Sequence, residues 1–166
     1  MKEKLFCPYC GSRLKRIKRG ERKRAYCPRC QTVHYHNPLP ATAALLKGPE
    51  GEILLVKRAK EPARGKWSLP GGFIEAEETP EEGVLRELEE ETGIRGKVVR
   101  LLGVVTERSP FYGPLIILGY HVTADGGTLR AGDDAEEVRY FPVQEMPEVA
   151  FASHRKLIAQ FLEGER

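Results

Sequence analysis

The stretch that decides the reading runs Leu69-Pro-Gly-Gly-Phe-Ile-Glu-Ala-Glu-Glu-Thr-Pro-Glu-Glu-Gly-Val-Leu-Arg-Glu-Leu-Glu-Glu-Glu-Thr-Gly-Ile94. Thr79 caps a helix, Pro80 suits its first position and Glu82 completes a Thr-x-x-Glu capping box, so a helix is expected over 80–92, with Gly93 as its C-terminal cap. At 100° per residue, Glu81, Val84, Leu85, Leu88 and Thr92 share one side, anchored by the apolar three. Glu87, Glu90 and Glu91 stand on another side, with Gly83 clearing space in front of them. Three clustered carboxylates repel one another unless a cation sits among them, and oxygen ligands favour a hard ion such as Mg²⁺. A solvated acidic face, softened by pairs such as Glu82 with Arg86, is the alternative. The turn Pro70-Gly71-Gly72, where backbone can approach a ligand closely, favours the cation.

Outward from this segment, Ala41–Lys47 and Ile53–Ala59 read as apolar strands joined in a hairpin by Gly48-Pro49-Glu50-Gly51. Residues 97–107 and 115–123 are two further long strands, and Glu137–Val143 is another. A second helix is expected over 154–163 behind Ser153 as N-cap. The body is therefore a mixed sheet with helices against it, an α/β layered architecture. Asn37-Pro38-Leu39-Pro40 breaks regular structure and sets a boundary between residues 1–37 and 38–166.

The head before that boundary is chemically different. Residues 1–37 hold 11 Lys and Arg against 2 Asp and Glu, a balance of +9, whereas 38–166 hold 16 against 22, a balance of −6. All four cysteines fall in the head, as Cys7-Pro-Tyr-Cys10 and Cys27-Pro-Arg-Cys30, with sixteen residues between the pairs. That spacing presents four thiolates to one tetrahedral Zn²⁺. Two disulfides or a redox pair are the alternatives, and nothing in the sequence indicates the export that would oxidise them. About 37 residues are too few for a self-sufficient core, so the metal would supply folding free energy. Four cysteine ligands also close the shell, which makes the site structural. Short strands over Arg13–Arg19, Lys23–Tyr26 and Thr32–His36 complete a zinc ribbon, with His34 and His36 solvent-facing or packed. Gln31 occupies the place after the second knuckle that Gly11 holds after the first.

With 40% apolar and 31% charged residues the 166-residue chain can bury a core, and its apolar runs fall far short of the roughly 18 residues of a membrane span. No apolar signal-peptide core precedes Cys7, so a cytoplasmic address and no membrane partner are expected.

Gly72, Glu78, Arg86-Glu87-Leu88-x-Glu90-Glu91-x-Gly93-Ile94 resembles the Nudix box of the Nudix hydrolases at every specified position, across 23 of 166 residues. Counting from Gly71 instead would put Leu85 where arginine belongs. The ribbon and the Tyr35-His-Asn-Pro38 join resemble the zinc-ribbon members of that family, those similar to ADP-ribose pyrophosphatases. The resemblance implies an α/β/α sandwich and hydrolysis of the pyrophosphate bond of a nucleoside diphosphate linked to another moiety, with Mg²⁺ or Mn²⁺. It implies that Glu87, Glu90 and Glu91 hold the metal with the backbone carbonyl of Gly71, that Arg86 orients the glutamates, and that Glu78 supports the loop–helix junction. Glu90 is the expected general base. Some relatives draw it from a later acidic loop, here Asp133, Asp134, Glu136 and Glu137, of which Glu137 is the best single alternative.

The segment Thr106-Glu-Arg-Ser-Pro-Phe-Tyr-Gly113 departs from the Ser-Gln-Pro-Trp-Pro-Phe-Pro motif of the NADH pyrophosphatases. Pro110 resembles a mark of ADP-ribose pyrophosphatases and Tyr112 one of dinucleoside polyphosphate hydrolases; Pro110, Phe111 and Tyr112 are the expected substrate contacts. ADP-ribose or a related nucleotide is the favoured substrate. NADH, dinucleoside polyphosphates and capped RNA ends are alternatives, as is a nucleotide-sensing protein that grips nucleic acid through the basic ribbon. Such regulators lose box glutamates, and this chain keeps them. A homodimer stays open, and a scaffold role for the ribbon is preferred to nucleic-acid contact.

Overall fold

The computed structural model describes residues 4–132 and 134–164. The chain separates into two compact units, Met1–Pro38 and Leu39–Arg166.

The first unit is a three-stranded antiparallel sheet, β1 (Lys15–Arg19), β2 (Arg22–Cys27) and β3 (Thr32–His34). Its two knuckles are left-handed turns at Gly11 (φ 69°) and Gln31 (φ 54°), so the second turn imposes on glutamine a conformation that glycine adopts freely.

In the second unit, β4 (Leu39–Leu46) pairs in parallel with β8 (Gly113–Gly127), which pairs antiparallel with β7 (Ile94–Ser109). A second sheet has the order β6 (Trp67–Ser68), β5 (Ile53–Arg58), β9 (Ala135–Phe141). Strand alternation on β4 sends Ala43 and Leu45 into one core with Leu157, Ile158 and Phe161 of α2 (Ala152–Gly164). Ala44 and Leu46 enter another core with Val84 and Leu88 of α1 (Pro80–Thr92). Helices thus cover opposite faces of the mixed sheet, which is the expected α/β/α layering. Trp67 packs edge-on against Phe141 with ring centroids 4.8 Å apart.

Two local expectations are corrected. β4 and β5 do not form a hairpin, since a single bridge, Lys47 to Ile53, joins them and each belongs to a different sheet. The edge of β4 that β5 would need is occupied by the loop after β6: Thr42 N–H donates to Gly72 O, Ala44 N–H to Pro70 O, both at 2.8 Å, and Ala41 bridges Phe73. Nor is Ser153 the N-cap of α2. It lies inside the helix, and its N–H donates instead to Glu107 Oε2 of β7 at 3.0 Å. A carboxylate reaching across from the sheet satisfies a first-turn helix amide that has no partner within the helix.

Candidate active site

The loop Pro70–Gly72 lies against β4 because its two glycines leave no side chain in the way. A Cβ on Gly71 (φ 152°) would sit 2.2 Å from Thr42 O, and one on Gly72 would sit 2.4 Å from Glu87 Oε1. Gly71 N–H in turn donates to Glu91 Oε2 at 3.0 Å, which ties the loop to the last turn of α1. The helix itself is as the sequence predicts: the reciprocal Thr79–Glu82 capping box forms, Pro80 opens the first turn, and Gly93 closes the helix at φ 69°.

Arg86 is the hub of the acidic face. Its Nε and Nη2 donate in bidentate fashion to Glu78 Oε2 and Oε1 at 2.9 and 2.8 Å, and Nη1 donates to Glu87 Oε1 and Glu90 Oε2, each at 2.9 Å. Nη2 also reaches Phe73 O at 3.1 Å, anchoring the loop. The guanidinium holds Glu78 well below the usual carboxylate range, at about 2. The space beside Gly83 is taken by Glu78, whose Oε1 would lie 2.9 Å from a Cβ there.

Glu91 behaves in the opposite way. It is 5% exposed, beneath the acidic face where helical periodicity had placed it among its neighbours. Burial pushes its carboxyl up to about 7, against the opposing pull of the Gly71 N–H, and burial raises Glu87 as well. Two adjacent desolvated carboxylates under a backbone loop form an all-oxygen donor set that a hard divalent cation would satisfy in place of protons. The residues present therefore fit Mg²⁺ or Mn²⁺.

Glu87, Glu91, Gly71 and Gly72 border a cavity of about 390 Å³. Pro110 and Tyr112 line it too, with Tyr112 edge-on to Phe73 at 5.0 Å, whereas Phe111 is exposed and outside the lining. Glu90 opens on a neighbouring recess with Arg86 and Arg130. Glu137 sits exposed on β9 opposite Lys57 and lines neither cavity. From its acidic loop it is Asp134 that reaches the first cavity, ion-paired with Lys60; Asp133 lies outside the described residues.

Sequence reasoning missed Arg58, Glu107 and His154, which also line this cavity. Arg58 donates from Nε to Pro62 O at 2.7 Å and lies over the Phe151 ring at 5.3 Å. His154 Nδ1 accepts from Leu69 N–H at 3.1 Å, and burial drives its pKa down to about 3, with the charge of Arg58 adding to the effect. No motif marks these three. The one signal available was a charged residue at the end of an apolar strand or the start of a helix.

In the ribbon, Cys7, Cys10, Cys27 and Cys30 place their sulfurs within 4.8 Å of one another, a donor set that could hold one Zn²⁺. His34 is packed beside them, with Nε2 3.4 Å from Cys7 Sγ and its ring stacked on Tyr9 at 5.7 Å.

Comparison with known families decides what this geometry belongs to: the model described as NUDIX domain matches residues 37–161. The chain belongs to the Nudix hydrolases. The Nudix N-terminal model, a zinc ribbon, matches residues 5–36 of this Nudix hydrolase. A Methanocaldococcus jannaschii ADP-ribose pyrophosphatase is 41% identical over 130 residues, covering 77% of this chain and 75% of that protein. The NAD-capped RNA hydrolase NudC of Vibrio parahaemolyticus is 32% identical over 147 residues, 87% of this chain but 54% of that longer protein. Among solved structures, a Nitrosomonas europaea NUDIX hydrolase aligns with a TM-score of 0.83 and 32% identity over 96% of this chain and 91% of its own. The NUDIX domain of Shewanella oneidensis NrtR, complexed with ADP ribose, aligns at 0.68 with 27% identity, over 85% and 94%. The protein is accordingly a Nudix pyrophosphatase, a hydrolase of nucleotide phosphoanhydride bonds that uses Mg²⁺ or Mn²⁺. Among the described residues no helix is long and apolar enough to cross a membrane.

Proposed function

We propose that this Nudix hydrolase cleaves ADP-ribose or a closely related nucleotide with water, giving AMP and a sugar phosphate, and that residues 38–166 carry the chemistry while 1–37 form a zinc-stabilised scaffold. The observation that carries the reading is the buried Glu91 beside Glu87, bound to the Gly71 N–H and opening on a cavity bordered by Arg58. The similarity to an ADP-ribose pyrophosphatase over three quarters of that protein supports the substrate class.

In this reading Glu87, Glu90, Glu91 and the carbonyl of Gly71 are the groups that would hold the divalent cation. When bound, such a cation would supply charge neutralisation at the pyrophosphate and a lower pKa for water. Arg86 holds Glu87 and Glu90 on one nitrogen and so keeps two carboxylates aligned that would otherwise repel. Arg58 meets phosphate charge at the cavity wall. Glu90 is retained as the general base; Asp134 is the residue of the later acidic loop that reaches the cavity. The water oxygen bonds to phosphorus, the bridging P–O bond breaks towards the leaving phosphate, and the proton passes to the carboxylate base.

The test is to incubate the protein and Mg²⁺ with ADP-ribose, NADH, FAD, Ap4A and nucleoside triphosphates. ADP-ribose should be turned over with the highest kcat/KM, and Glu90→Gln and Glu91→Gln should lower kcat by about 10²-fold or more while the fold is kept. A different preferred substrate, or wild-type turnover in both variants, overturns the proposal.

A further inference from the structure

The loop that carries Gly71 is fastened from three sides of the fold. β4 takes the carbonyls of Pro70 and Gly72 through the Ala44 and Thr42 N–H groups, both at 2.8 Å. Extended backbone alternates the direction of successive carbonyls, so the Gly71 carbonyl turns away from β4, to the side from which Glu91 accepts the Gly71 N–H. α1 also holds the end of the loop, where Arg86 Nη2 donates to Phe73 O at 3.1 Å. The third fastening comes from α2, 85 residues further along the chain: His154 Nδ1 accepts the Leu69 N–H at 3.1 Å, immediately ahead of Pro70.

Filling space does not require a histidine at this place. Its 7% exposure among Leu69, Phe151 and Leu157 suits an apolar side chain equally well. What an apolar side chain lacks is an acceptor, and Leu69, 1% exposed, presents a buried N–H whose loss of a partner would loosen the start of the loop. Accepting on Nδ1 requires the neutral ring with its proton on Nε2, the form that burial favours. The imidazole is itself braced by Phe151, edge-on at 5.1 Å, which in turn carries the Arg58 guanidinium at 5.3 Å. His154 and Arg58 both line the cavity.

We infer that His154 is a positioning residue of the cation site, acting through the Leu69 N–H to fix the Gly71 carbonyl beside Glu91. The inference rests on the placement of the cation given under the proposed function, and it extends that placement to a residue of the opposite helix. A hydrogen bond behind a ligand matters because it removes alternative positions of that ligand before the ion arrives; partners of this kind commonly change metal affinity by about 10- to 100-fold.

The experiment is a Mn²⁺ titration of the zinc-loaded full-length protein, with free Mn²⁺ read by electron paramagnetic resonance and no nucleotide present. His154→Asn keeps an acceptor, Oδ1, at the place of Nδ1, whereas His154→Leu fills similar space without one. His154→Leu should weaken Mn²⁺ binding by about 10-fold or more, and His154→Asn should stay within about 3-fold of wild type. Both variants lose the packing of the imidazole, so a purely structural role lowers the two affinities together. Equal Mn²⁺ affinities in the two variants overturn the inference. So does an equal loss in Phe151→Leu, which disturbs the packing but leaves the Leu69 acceptor in place. Should His154→Leu fail to fold, Mg²⁺ titration of ¹⁵N-labelled wild type decides: the Leu69 amide and His154 Nδ1 resonances should move with one half-saturation point, and a fixed Nδ1 resonance overturns the inference. Glu91→Gln with unchanged Mn²⁺ affinity overturns the cation placement itself, separately from the role of His154.

Discussion

Replacing His154 by Asn should remove a defined part of the acid sensitivity of the catalytic unit. The imidazole is buried, accepts the Leu69 N–H on Nδ1, lies edge-on to Phe151 at 5.1 Å, and has its pKa lowered from 6.5 to about 3 by burial and then by Arg58. A group whose folded pKa is depressed contributes fully above its unfolded pKa, and the contribution is lost as pH falls from about 6.5 towards about 3, because the unfolded chain takes up the proton first. At pH 5 the unfolded imidazole is about 1.5 pH units into that window, which at about 1.4 kcal/mol per unit is a loss of about 2 kcal/mol from this residue alone. Asn can keep accepting from Leu69 N–H through Oδ1 but does not titrate, so His154→Asn should cost about 1–3 kcal/mol near neutral pH through lost packing. The gap should then close by about 2 kcal/mol at pH 5. Trp67 is the single tryptophan and packs on Phe141 in the catalytic unit, so its fluorescence during urea unfolding follows this unit without the ribbon. Differences common to both proteins cancel in the comparison. Equal losses of stability between about pH 7.5 and pH 5 in wild type and variant would refute the reasoning.

Other perturbations test other parts. Cys27→Ser should remove the tightly held zinc, which metal analysis should otherwise find at about one per chain; four freely titratable thiols in protein purified without chelator would rule the zinc out. Arg86→Lys keeps the charge but loses the bidentate fork on Glu78 and the shared contact of Glu87 with Glu90, so kcat with Mg²⁺ should fall by about 10-fold or more while helicity by circular dichroism is unchanged; full activity would contradict the organising role. The scaffold role of the +9 ribbon predicts weaker than micromolar binding of short single-stranded RNA even at low salt, and a sub-micromolar complex that weakens steeply with salt would replace it with a nucleic-acid function.

What was legible in the sequence was whatever is encoded locally. The capping box, Pro80 and Gly93 fix α1 to the residue because each acts within one helical turn. The Cys-x-x-Cys knuckles likewise bring two sulfurs together within each tight turn, and the four sulfurs meet in the folded ribbon. The misreadings arose where partners are distant. A glycine turn between two apolar runs specified a change of direction at 48–51, but whether β4 and β5 would pair depended on the loop at 70–74 claiming the same edge. Ser153 looked like a cap by position, and only a carboxylate 46 residues earlier, Glu107, displaced it. Helical periodicity grouped Glu91 with Glu87 and Glu90 by angle without the depth of the cleft, so its burial was invisible.

That difference in depth explains why the acidic helix face need not repel itself apart. Glu78, Glu87 and Glu90 are all held by Arg86, one guanidinium for three carboxylates, and the hydrogen bonds are charge-assisted. Glu91 is left outside this arrangement. Its nearest compensation is a single backbone amide, supplied by a glycine that no other residue can replace without striking Thr42 O. A carboxylate so placed, with burial outweighing both that amide and the charge of Arg58, is stabilised as the ionised form mainly by an added cation. The Arg86 network and the glycine loop therefore act in sequence: the first fixes Glu87 at the rim, the second fixes Glu91 beneath it, and the charge left uncompensated between them is where a divalent ion contributes most.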